Sequence, residues 1–95
     1  MDLSSLLLIQ NWYIGKCDDV WEHSYGFKIE NLDNPGWVVE ITGESEKKEG
    51  ILQIDRSDED WIYVKTTSDR FIGRSGAVNL IEMMEAAINW LEVKS

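Results

Sequence analysis

Asn34-Pro35-Gly36 holds the only proline of the 95-residue chain and constrains the fold more than any other three residues. The proline ring pre-sets the backbone angle of a turn's second position, and Gly36 tolerates the positive angle of the third. On either side the residues alternate. Tyr25, Phe27 and Ile29 interleave with Gly26, Lys28 and Glu30, and beyond the turn Trp37, Val39 and Ile41 interleave with Val38, Glu40 and Thr42. A side-chain period of two puts one face of each strand against a core. The sequence therefore predicts a β-hairpin with one buried face.

The rest of the chain reads as elements of one sheet and two helices. Asp2 to about Ile14 favours helix, with Asp2 or Ser4 as cap, Leu3, Leu6, Leu7 and Tyr13 in one broad stripe, Leu8 and Trp12 on a neighbouring one, and Gly15 as terminator. A polar connection, 16–24, leads into the hairpin. Residues 42–50, bordered by Gly43 and Gly50, read as an exposed loop. Two further strands, Ile51 to Asp55 and Trp61 to Thr67, flank the acidic turn Arg56-Ser57-Asp58-Glu59-Asp60, and Phe71-Ile72-Gly73 reads as an extended segment or a short fifth strand. Leu80, Met83, Met84, Ala87, Ile88 and Leu91 follow helical spacing while Glu82, Glu85, Asn89 and Glu92 face away, with Asn79 and Glu82 spaced as a capping box and Trp90 at the edge of the apolar face. The expected fold is α+β: a single domain, 1–95, with a four- or five-stranded antiparallel meander and both helices on one face. Depending on register, the outer face then carries either Val38, Ile51, Trp61 and Tyr63 or their alternates, and an aromatic-rich open sheet face is a contact surface unless loops cover it.

Charge decides which partners suit such a domain. Eighteen acidic residues against nine basic ones give a net charge of -9. Phosphate binding draws its affinity from clustered Lys and Arg, whereas Lys28, Lys65, Arg70 and Arg74 read as scattered among acids. Nucleic acid and anionic membrane are therefore poor partners. A basic protein is the natural complement, although plain solubility explains the charge equally well. A single cysteine forms no internal disulfide, and no apolar run reaches the roughly 18 residues that span a bilayer. Leu6-Leu7-Leu8-Ile9 lacks the preceding basic residue and following small-residue site of a signal peptide, so a cytoplasmic location is expected.

Two clusters carry possible chemistry. Cys17, Asp18, Asp19, Glu22 and His23 put a thiol, three carboxylates and the only imidazole within seven positions. Cys17 and His23 as nucleophile and base, with Glu22, would make a small enzyme, and the histidine with the carboxylates could hold a metal. One His and one Cys are few for either role, and the structural reading has Cys17 buried and Trp21 in the core, with Glu22 bonded to His23 or to backbone amides. Asp55, Asp58, Glu59 and Asp60 lack the glycine and glutamate of an EF-hand loop, since Asp60 and Thr66 occupy those positions. No cofactor is called for. Met83 and Met84, at helical spacing, read as core, and Asp33 or Asn34 as closing the turn beneath a buried Trp37. In a meander the acidic loops 42–50 and 56–60 fall at opposite ends of the sheet, as separate patches.

Trp12-Tyr13, Cys17, Trp21-Glu22-His23, Gly26, Ile29 and above all Leu32-Asp33-Asn34-Pro35-Gly36-Trp37 resemble the immunity protein 53 family of bacterial polymorphic toxin systems. The resemblance implies a non-catalytic binder that neutralises a toxin domain made beside it. It does not locate the interface. On physical grounds the expected contacts are Asp58, Glu59, Asp60, Trp61 and Tyr63, then Asp18, Asp19 and Glu22, with carboxylates steering a basic toxin and aromatics anchoring it. The rivals are a module binding another cellular protein, an acidic nucleic-acid mimic and the Cys17/Glu22/His23 enzyme.

Overall fold

The computed structural model describes residues 3–92. Helix α1 (Leu3–Lys16) is followed by five strands, β1 (Phe27–Leu32), β2 (Gly36–Thr42), β3 (Gly50–Asp55), β4 (Trp61–Thr66) and β5 (Arg70–Ser75), and then by α2 (Leu80–Glu92). Single 3₁₀ turns at Trp21–His23 and Ala77–Asn79 precede β1 and α2. The hairpin turn lies where the sequence places it, between β1 and β2, with Trp37 opposite Asn31 and Val39 opposite Ile29, but Gly36 takes no positive φ: it opens β2, where a Cβ would stand 2.2 Å from the Ser75 carbonyl oxygen. The Asp2 cap lies outside the described residues.

All five strands pair antiparallel, but the meander does not form. The order across the sheet is β1-β2-β5-β4-β3, so β5 inserts between β2 and β4. Burial explains this. Phe71, Gly73 and Ser75 of β5 are buried, whereas five of the six residues of β3 are exposed, which suits β5 to the centre and β3 to an edge. The connection 43–49 makes the crossing possible by running over the β4–β5 turn, where the Lys47 amide donates to the Ser68 carbonyl at 3.0 Å. Thr66 Oγ1 and Trp90 Nε1 both donate to the Lys48 carbonyl, at 3.0 and 3.2 Å.

One face of the sheet carries the core. Val39, Ile41, Ile62, Val64 and Phe71 meet Met83, Met84, Ala87, Trp90 and Leu91 of α2, all nearly inaccessible. Burying a large apolar side chain contributes roughly 1.5–3 kcal/mol, so this cluster dominates stability. Trp90 is part of the core, tilted against Phe71 of β5 with ring centroids 5.8 Å apart. Gly73 is flat under Met83: a Cβ there would stand 2.3 Å from the Met83 sulfur.

Helix α1 packs on the same face, more loosely. It buries no residue fully, and touches the core through Ile9 and Trp12 while Leu3, Leu6, Leu7, Tyr13 and Ile14 stay exposed. It also continues through Gly15 to Lys16, whose ammonium meets Glu44 at 2.8 Å; that anchor holds the last turn against glycine's weak propensity. Two further expectations change. Asn79 does not build a capping box but turns its side chain to β4, and Trp37 is half-buried beyond the main cluster, donating through Nε1 to the Ala77 carbonyl at 2.9 Å.

Candidate partner-binding surface

Three connections meet at one end of the sheet. The register places the β1–β2 turn, the β3–β4 turn and the exit from β5 at the same end, since Leu32 pairs with Gly36, Asp55 with Trp61, and Ser75 with both Trp37 and Ile62. Between them lies a cleft of about 510 Å³ lined by Asn34, Pro35, Asp58, Glu59, Trp61, Ala77 and Val78. Half-buried Trp61 and exposed Pro35 and Val78 make it apolar. Asp58 and Glu59 stand at its rim, exposed and, among the described residues, without an ion-pair partner.

The acidic turn is held rigidly from behind. Ser57 Oγ accepts the Asp60 amide at 3.1 Å, and the Arg56 amide donates to the Asp60 carbonyl at 2.9 Å. Arg56 bridges Asp60 at 2.9 Å and grips Glu82 of α2 with both oxygens engaged, at 3.0 and 2.7 Å. Buried Asn79 completes the clamp. Its Oδ1 accepts the Trp61 amide at 3.2 Å and its Nδ2 donates to Asp60 at 2.8 Å. These bonds hold the Asp60 carboxyl below its ordinary range, through Asn79 first and Arg56 second, and hold Glu82 down chiefly through Arg56. Asp60 is thus part of the scaffold, and its two neighbours Asp58 and Glu59 point the free charge outward. Sequence reading did not find the clamp, because a side chain 19 positions downstream of Asp60 supplies it.

The second group of candidate residues lies at the opposite end, beside loop 43–49. Asp18 accepts the Val20 and Trp21 amides at 2.9 and 2.8 Å, and Glu22 accepts the Asp18 amide at 2.9 Å. Backbone amides hold both carboxyls below their ordinary range, those of Trp21 and then Val20 for Asp18, and for Glu22 its own amide first and that of Asp18 second. Only Asp19, at φ 73°, keeps its carboxylate for solvent. Trp21 is half-buried outside the main core, at the centre of a satellite cluster with Trp12, Tyr13 and Tyr25 at centroid distances of 5.5, 5.8 and 6.0 Å. Its Nε1 donates to the Gly43 carbonyl at 3.1 Å. Gly43 has φ +88°, and a Cβ there would stand 2.3 Å from that nitrogen. Of the loop's acids, Glu44 is half-buried: desolvation pushes its carboxyl up, but bonds from Lys16, Trp12 and Lys47 together bring it below the usual range.

Cys17 is exposed, not buried as expected. It lies against the Tyr13 hydroxyl, raising that phenol's pKa. Glu22 and His23 line a cleft of about 620 Å³ with Tyr13, Tyr25, Lys28 and Glu40; Cys17 is not among the lining residues. Among the described residues no three of His, Cys, Asp and Glu gather in a metal-binding group, and no helix is long and apolar enough to cross a membrane.

The remaining face of the sheet is open. Val38, Ile51, Trp61 and Tyr63 share it, the first of the two sets the alternation allowed. A shallow cleft of about 270 Å³ on this side is lined by Gln53, Asp55, Asp58, Trp61 and Tyr63, so Trp61 joins the end of the sheet to its open face. Compared with known proteins, residues 6–92 match the family model described as immunity protein 53. Neither a curated protein nor a solved structure gives a match. The match covers nearly all of the chain, and the protein belongs to the immunity protein 53 family. Such families neutralise toxins, are generally non-enzymatic and have a toxin as partner.

Proposed function

We propose that this chain neutralises a secreted polymorphic toxin, in the cytoplasm of the producing cell, by covering the toxin domain's active site or its route of substrate entry. The observation that carries this reading is the apolar cleft around Trp61, rimmed by the unpaired carboxylates of Asp58 and Glu59 on a clamped turn. A partly buried aromatic surrounded by free charge is the arrangement that anchors protein interfaces, with the aromatic desolvated on binding and the charges speeding encounter. Rigidity matters as well. The turn is ordered before the partner arrives, so little conformational entropy is lost on docking.

A net charge of -9 selects for a basic toxin domain. Asp58, Glu59, Trp61 and Tyr63 make the contact, Asp60 orients them, and the group Asp18, Asp19 and Glu22 contributes at most Asp19. The enzyme alternative loses weight because Cys17 lies against the Tyr13 hydroxyl and is not among the residues lining the cleft that holds Glu22 and His23. Calorimetry of the purified chain with the toxin domain encoded beside its gene, at low and raised salt, tests the proposal. Tight binding that weakens with salt is expected; absence of binding at micromolar concentrations would refute the pairing.

A further inference from the structure

Four of the nine basic residues fall on the open face of the sheet. The strand registers align Lys28, Glu40, Ile72, Lys65 and Ile51 in one row across it, and Glu30, Val38, Arg74, Tyr63 and Gln53 in the next. Arg70 adds a fourth cation and is bound to Glu40. Lys28, Lys65 and Arg74 are exposed and have no ion-pair partner among the described residues. The face also carries Glu30 at the β1 edge and Asp55 at the far corner, beside Trp61. Its middle, around Ile72 and Tyr63, is therefore positive on a protein of net charge -9.

This segregation has a spatial logic. Arg74 is the direct partner of Tyr63, and Lys65 the direct partner of Ile72. Arg74 and Lys65 are then diagonal neighbours on adjacent strands, about 7–8 Å apart at the backbone. Between and beside them lie half-buried Ile72 and Val38 and exposed Tyr63. Two cations so close repel one another unless an anion lies between them, and among the described residues none is ion-paired to either.

Resting on the reading of the chain as a toxin-binding protein, we infer that the open face receives an acidic segment of the protein partner. Lys65 and Arg74 hold carboxylates on either side of an apolar side chain seated over Ile72 and Tyr63. The surface is continuous with the Trp61 cleft. The partner's footprint thus has two signs: basic where it meets Asp58 and Glu59, acidic where it crosses the sheet. Such alternation fixes the docking register, since a slipped or rotated pose sets like charges against each other.

The test uses a random peptide library selected against the full chain at low salt, with the K65E/R74E variant and the neutral K65Q/R74Q variant as comparisons, each checked for native circular dichroism. Expected are enriched peptides with Asp or Glu flanking an apolar residue. They should bind K65E/R74E about tenfold or more weaker and K65Q/R74Q at an intermediate level. Enrichment without acids, equal binding to K65E/R74E, or no enrichment overturns the inference. Binding of an oligothymidylate at the same face in place of acidic peptides also overturns it, in favour of nucleic acid. The neighbouring toxin domain separates the two readings. If it fails to bind while acidic peptides are selected as described, the toxin pairing falls and the acid-binding face stands. If it binds K65E/R74E as tightly as wild type, the inference falls and the toxin pairing stands.

Discussion

Asn79→Ala removes the clamp behind the acidic turn, and its cost follows chiefly from the two shorter of the residue's three side-chain bonds, the third being a 3.4 Å bond to Glu82. Asn79 is 3% exposed; its carbonyl oxygen accepts the Trp61 amide, and its amide nitrogen donates to Asp60. Alanine leaves the Trp61 N–H at the start of β4 without an acceptor, and an unmade bond to a buried donor costs about 1–3 kcal/mol. Taking about 2 kcal/mol, and about 4–8 °C per kcal/mol for a domain of this size, the melting temperature should fall by roughly 8–16 °C. Thermal and urea unfolding followed by circular dichroism measures this directly. Asn79→Asp is the informative companion. It keeps the acceptor for Trp61 but sets a second carboxylate against Asp60, so its defect should be large at neutral pH and shrink on acidification as the new group is protonated. The Asn79→Ala defect should shrink only in part on acidification, by the share that the bond to the Asp60 carboxylate supplies, and keep the share owed to the lost Trp61 acceptor. A melting temperature for Asn79→Ala within about 2 °C of wild type would refute the clamp, because it would put the two bonds together at less than about 0.5 kcal/mol.

Gly73→Ala should destabilise by about 1–3 kcal/mol through the clash with the Met83 sulfur 2.3 Å away, and Met83→Ala in the same chain should recover part of that loss in urea melts. Gly43→Ala adds a side chain at φ +88° and against Trp21, so it should cost more than about 1 kcal/mol and raise Trp21 exposure to acrylamide quenching. Asp60 and Glu82 titrate below their ordinary range in the folded state, so the stability they supply is complete above the unfolded carboxyl range near pH 4 and is lost as pH falls through their lower folded values. Arg56→Ala should therefore flatten the acid limb of a stability-versus-pH curve measured by urea unfolding.

Periodicity made most of the architecture legible, and its limits show at particular residues. The alternation in β2 placed Val39 and Ile41 inside, and the spacing of Leu80, Met83, Met84, Ala87 and Leu91 placed α2, because burial on one face leaves a direct imprint on sequence. Strand order leaves none. A connection of seven residues, 43–49, fits a neighbouring strand or one three places away, and only the burial of Phe71, Gly73 and Ser75 reveals that β5 is central. The same gap hid the basic face. Lys65 alternates with Val64 and Thr66, and Arg74 with Gly73 and Ser75, so each strand alone put its cation opposite the core. Placing both on one patch required knowing that β4 and β5 are neighbours. At the candidate site the acids and Trp61 were readable as an exposed turn and a strand start. The separation of Asp60 from Asp58 and Glu59 was not, since it depends on Asn79 and Arg56 reaching the turn through space.

In the proposed complex the end of the sheet around Trp61, and not the acidic loop at the other end, meets the toxin. The most direct measurement of this is the dissociation constant of the neighbouring toxin domain for D58K/E59K against that for E46K/E49K, two variants with identical changes of net charge. All four residues are exposed, and the two pairs sit at opposite ends of the sheet. The account predicts binding weakened about tenfold or more by D58K/E59K and by less than about twofold for E46K/E49K. Equal loss in both would reduce the effect to net charge alone, and loss confined to E46K/E49K would put the interface at the other end of the molecule.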